Sequence, residues 1–136
     1  MWFCSSGSAV LLERLWQAHL RPPEEVCDAD SLFQRIHDVN VHYKKFLSTP
    51  DADKPIDRDV IMCLSHGFGA NTYSYEYALL GLLAKRMRGT FLAFDSVGFG
   101  LTERPKRIYE YTFDNIGKLM MGLRNYEYSK LQLNEG

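Results

Sequence analysis

The sequence has little that would support sulfur or metal chemistry. Its three cysteines, Cys4, Cys27 and Cys63, are an odd count with no CxxC spacing, which argues against both a disulfide framework and a zinc site. Cys63 sits inside an apolar run and reads as a small buried hydrophobe. No apolar run is long enough for a transmembrane helix. Neither sign of charge dominates: 16 Lys and Arg against 17 Asp and Glu leave a formal net charge of −1. That balance gives no electrostatic footing for nucleic acid or a charged membrane. No internal repeat or low-complexity segment is visible. The opening stretch MWFCSSGSAVLL lacks a basic n-region, and Glu13 and Arg14 interrupt it. A secretory signal is therefore not expected, and a cytoplasmic location is the default.

The chain has 136 residues, enough for one domain with a core of its own. Its organising stretch runs from Val60 to Pro105. Val60-Ile-Met-Cys-Leu64 is a short unbroken apolar run, as expected of a strand buried on both faces. It leads into His66-Gly67-Phe68-Gly69. A second run, Phe91-Leu92-Ala93-Phe94, meets Asp95 and then Gly98-Phe99-Gly100. Two strands, each with a glycine-rich turn at its carboxyl end, are what a parallel α/β sheet uses to hold ligands.

The remaining elements follow from period and punctuation. Leu11, Leu12, Leu15, Trp16 and Leu20 recur at helical spacing over Ala9 to Leu20, and Pro22-Pro23 ends that helix. It reads as packing on its own domain, its polar face being too weakly basic for a membrane surface. Phe33–His37 and Val39–Phe46 read as antiparallel strands joined tightly around Asp38. In the second, Val39, Val41 and Tyr43 face one way, and Asn40, His42 and Lys44 the other. His37 and His42 have no third ligand nearby and read as sheet-surface histidines. Ser48 to Asp59 is a loop rich in Pro and Asp. A helix capped by Thr72 or Ser74 runs to about Arg88, with Gly89 as its stop. A second begins at Thr112, with Ile116, Leu119, Met120 and Leu123 on one stripe, and Gly117 and Gly122 weakening it. Residues 1–30 thus form a helical extension, 31–124 the α/β unit, and 125–136 a tail without strand-quality segments.

Taken alone, HGFG after a buried strand leaves amides near a helix amino terminus, where they can stabilise an oxyanion; it can equally be a tight turn and no more. A dinucleotide site at Gly98-x-Gly100 lacks its third glycine, and Pro105 breaks the helix it needs. Val60–Leu64 with SHGFGANTYSY, followed by FLAFDSVGFGLTERP, resembles the amino-terminal half of the α/β-hydrolase fold family, its esterase and epoxide-hydrolase-like branch. The resemblance covers about Phe33 to Leu123. It implies a mixed sheet with an antiparallel first pair and parallel strands joined by crossover helices, the fourth strand lying between the second and third. It also implies hydrolysis of an ester, epoxide or related bond of a small-molecule substrate, with no cofactor and no metal. Phe68 would lend a backbone N–H to the oxyanion hole, with His66, Gly67 and Gly69 shaping the turn. Asp95 would hold the loop after the fourth strand rather than act as catalytic acid, and Gly98 and Gly100 would bring that loop close to the site.

The family's nucleophile stands in a G-x-S-x-G elbow after the fifth strand, followed by an acid and a histidine. No G-x-S-x-G occurs in this sequence. The chain by itself is therefore expected to be inactive, and to be part of a longer product or the translation of an incomplete or alternatively spliced gene. Without a fifth strand the sheet is incomplete, and Val60–Leu64 becomes an apolar edge prone to self-association. The alternative to a truncated hydrolase is a non-catalytic protein that pairs with a partner through that edge.

Overall fold

The computed structural model describes residues 21–48, 60–75 and 89–133. Strands β1 (Leu32–Ile36) and β2 (Val39–Ser48) form an antiparallel hairpin that pairs Ile36 with Val39 and Leu32 with Tyr43. The two turn residues, His37 and Asp38, both have positive φ, 45° and 67°. That combination defines the type I′ turn, whose twist matches that of the strands it joins. Strands β3 (Ile61–Ser65) and β4 (Gly89–Phe94) run parallel, while β4 lies antiparallel to β2. The sheet order is β1-β2-β4-β3, with the fourth strand between the second and third as the resemblance implies. Every residue of β4 is buried, which accounts for the apolar run Phe91–Phe94.

Helix α1 (Pro23–Val26) is a single turn with Pro23 at its start, where a missing N–H costs nothing. The helix expected over Ala9 to Leu20 and the loop from residue 49 to Asp59 lie outside the described residues. Of the helix expected from Thr72 to about Arg88, only residues 72–75 are described, as the 3₁₀ segment Thr72–Tyr75, and the rest lies outside the described residues. Among the described residues no helix is long and apolar enough to cross a membrane.

Helix α2 (Phe113–Leu133) lays Ile116, Leu119, Met120 and Leu123 on Ile36, Val39, Val41, Tyr43, Leu92 and Phe94. Two corrections to the sequence reading follow. Residues from 125 onward are helical as far as Leu133 rather than a tail. The inner stripe continues through Tyr126 and Glu127, and a glutamate there disguises the continuation. Glu127 is buried and accepts hydrogen bonds from Tyr43 Oη and Lys45 Nζ, both at 2.6 Å. Burial raises its pKa, but the bonds from Lys45 and Tyr43 outweigh burial and hold the carboxyl below its usual range. Burial first, and Glu127 second, push the Tyr43 hydroxyl well up. Glu127→Gln is expected to cost about 1–3 kcal/mol in urea unfolding, because its NH₂ would face one of two donors.

The second correction concerns β2. His42 is not a sheet-surface residue: its side chain is 0 % exposed. Lys44, on the same face, is buried against Asp28 and Asp30 at 2.7 and 3.1 Å, its Nζ 4.7 Å from the Tyr73 ring centre. Residues 28–31 and the loop after β4 cover this face. Alternation correctly gave two faces, but the polar one is paired rather than wet.

Candidate functional site

Because β3 and β4 are parallel neighbours, the glycine turns at their carboxyl ends meet. His66 joins them. Its Nε2 accepts the Ser96 N–H at 2.9 Å and its Nδ1–H donates to the Gly67 carbonyl at 2.8 Å. The imidazole is thereby held in one tautomer with both nitrogens engaged, and has no lone pair left for a neighbouring hydroxyl. The Phe68 side chain is 99 % exposed, and its N–H meets no acceptor among the described residues. Gly69 follows at φ +75°, a conformation that turns the chain and leaves that amide uncovered.

These turns border a cleft of about 370 Å³, lined by His66, Phe68, Ser96, Phe99, Tyr111 and Phe113 among others. Its size suits a small ligand, and its walls are mostly aromatic. Phe99 meets the rings of Phe68 and His66 edge-on, with centroids 5.5 and 5.6 Å apart. Gly98 (φ +84°) lets Tyr111 close the wall: a Cβ there would stand 2.6 Å from its Cε1. A larger, shallower groove beside α2, at His37 and Met121, lies away from both turns.

Asp95 lies behind the cleft, 1 % exposed. Oδ1 accepts the Thr72 N–H at 2.7 Å; Oδ2 accepts the Leu101 N–H at 2.8 Å and His42 Nδ1–H at 2.7 Å. Its carbonyl accepts the Thr102 hydroxyl at 2.7 Å, and that hydroxyl accepts the His42 N–H at 2.9 Å. Burial alone would raise the Asp95 pKa, but the bonds from His42, Leu101 and Thr72 prevail and hold it below the usual range. Among the described residues Thr72 Oγ1 is buried without a hydrogen-bond partner. Thr72→Val is therefore expected to stabilise the chain by about 1 kcal/mol, measured as a higher urea midpoint.

Ser31 Oγ stands 2.9 Å from His42 Nε2, so Ser31, His42 and Asp95 reproduce the connectivity of a catalytic triad. The chemistry does not follow. His42 is wholly buried, Phe33 covers it at 5.1 Å, and none of the clefts described here is lined by Ser31. A triad also needs donors around a reacting carbonyl.

All seven residues singled out from the sequence, His66, Gly67, Phe68, Gly69, Asp95, Gly98 and Gly100, lie in or against the two facing turns. Sequence reasoning missed His42, Thr72 and Thr102. The available signal was chemical: a buried aspartate needs donors, and a histidine on the strand beside β4 is one of few residues able to reach it.

No protein-family profile and no curated protein matches the sequence. Among solved structures, the chain is similar to an epoxide hydrolase of Vigna radiata, with TM-score 0.54 and 21% identity, covering 71% of this chain and 28% of that one. It is equally similar to epoxide hydrolase A of Mycobacterium thermoresistibile, with TM-score 0.55 and 20% identity, covering 71% and 27%. The chain spans just over a quarter of the length of these relatives. It has a partial α/β-hydrolase fold.

Proposed function

We propose that the cleft is the substrate end of a hydrolase, taking a small apolar ester, epoxide or related compound, with the Phe68 N–H as one donor to developing negative charge. The observation that carries this reading is that uncovered amide, held at the rim of an aromatic cleft by the His66–Ser96 bond. A working oxyanion donor is worth about 3 kcal/mol. The G-x-S-x-G elbow that would carry an attacking serine is not in this sequence, and His66 has no free nitrogen with which to activate Ser96. By itself the chain binds and does not turn over. The alternative, an interaction protein using its open sheet edge, draws on a separate surface and is taken up below.

The test is amide NMR with styrene oxide or p-nitrophenyl acetate added to the full chain, together with ester hydrolysis and a fluorophosphonate. The expected result is shifts at Phe68, Gly69 and Ser96, no turnover and no adduct. Turnover abolished by the fluorophosphonate would overturn the inactivity. An adduct mapped to Ser31 would make the buried Ser31–His42–Asp95 set the reactive one. Unmoved amides would remove the cleft as a binding site.

A further inference from the structure

We propose that the open edge of β3 pairs antiparallel with β3 of a second copy of this chain, in the register that sets Cys63 opposite Cys63. Among the described residues β3 has a strand partner on one side only, β4. Its sequence, Ile-Met-Cys-Leu-Ser, has no proline and no charge, the devices that normally keep edges from meeting.

The register follows from the ladder to β4. The Thr90 N–H donates to the Val60 carbonyl at 2.9 Å. Main-chain groups alternate along a strand, so Val60, Met62 and Leu64 direct theirs at β4. Ile61, Cys63 and Ser65 direct theirs at the open edge. A two-fold axis at Cys63 sets Cys63 against Cys63 and Ile61 against Ser65, so every outward residue meets an outward residue. Each such pair exchanges two hydrogen bonds. An axis at Met62 or Leu64 loses one of these pairs. The same axis keeps both copies of α2 on one face of the joined sheet. There Ile61 and Cys63 pack against the core but are only half-buried, leaving apolar surface along the seam for the second copy to cover.

The occupant is a second copy because the outward groups of Ile61, Cys63 and Ser65 pair with themselves about a single axis, and the half-buried Ile61 and Cys63 supply the same apolar seam from both sides. The edge is thus self-complementary, as a two-fold interface requires. The proposal is independent of the cleft chemistry: a failure of ligand binding leaves it standing, and the reverse also holds.

Sedimentation velocity of the full chain over a hundredfold concentration range tests it. The expected result is a monomer giving way to a discrete species of twice its mass. Cys63→Pro and Ser65→Pro each remove an outward N–H without touching the ladder to β4, and proline is tolerated on an edge. Both are expected to stay folded by circular dichroism and to stay monomeric. Should a variant unfold, the wild type decides by residue-resolved amide exchange: Ile61, Cys63 and Ser65 are expected to exchange at least tenfold more slowly at the high concentration than at the low. A monomer at every concentration, a polydisperse aggregate, folded proline variants that still dimerise, or exchange independent of concentration would each overturn the pairing.

Discussion

Asp95→Ala is expected to lower the unfolding free energy by about 3–5 kcal/mol, read by urea denaturation at neutral pH. The substitution strands three donors at once: His42 Nδ1–H and the Thr72 and Leu101 amides. Each buried donor left unpaired costs about 1–3 kcal/mol, and water entering the vacated space returns part of that. The effect has a pH signature. The Asp95 pKa lies below its unfolded value, so ionised Asp95 contributes its full stabilisation above about pH 4 and loses it as pH falls through the folded value. The stability gap between wild type and Asp95→Asn is therefore expected to narrow on acidification. A gap that widened would mean that Asp95 is buried protonated. Glu127 is lowered in the same direction, so wild-type stability alone cannot separate the two groups; the difference from Asp95→Asn isolates Asp95.

Gly100→Ala is expected to cost about 2–5 kcal/mol. Gly100 lies at φ +48°, and a Cβ there would overlap the Asp95 carboxylate. A left-handed residue with a side chain costs about 1–2 kcal/mol, and overpacking a filled site about 1–3. The two substitutions are coupled. With Asp95→Ala the obstructing carboxylate is gone, and Gly100→Ala then costs only its backbone term. The double variant should lie well short of the sum of the singles. Additive losses would mean that the loop moves aside without disturbing Asp95.

The coupling shows why this loop was readable and its partners were not. Gly98, Gly100 and Asp95 are fixed within six residues by local geometry: two left-handed positions and a carboxylate that the next turn of chain must wrap. Such constraints leave a motif in the sequence. His42 is 53 residues away and meets Asp95 only because β2 and β4 are neighbours. Nothing local distinguishes it from a histidine facing water, since alternation reports which side a residue faces and not what covers that side. Glu127 failed in the same way: a charged residue on an apolar stripe looks like the end of a helix until Tyr43 and Lys45 are seen opposite it.

The sequence by itself determined the strands, the hairpin turn, the two glycine turns and the absence of a G-x-S-x-G elbow, because backbone preference and hydrophobic period act over a few residues. Only the tertiary structure decided which polar groups are buried and with what partner. It also decided that His66 has both nitrogens occupied and that Ile61, Cys63 and Ser65 point their main-chain groups outward. Those outcomes depend on distances between segments far apart in the chain, and such distances exist only once strand order and register are set.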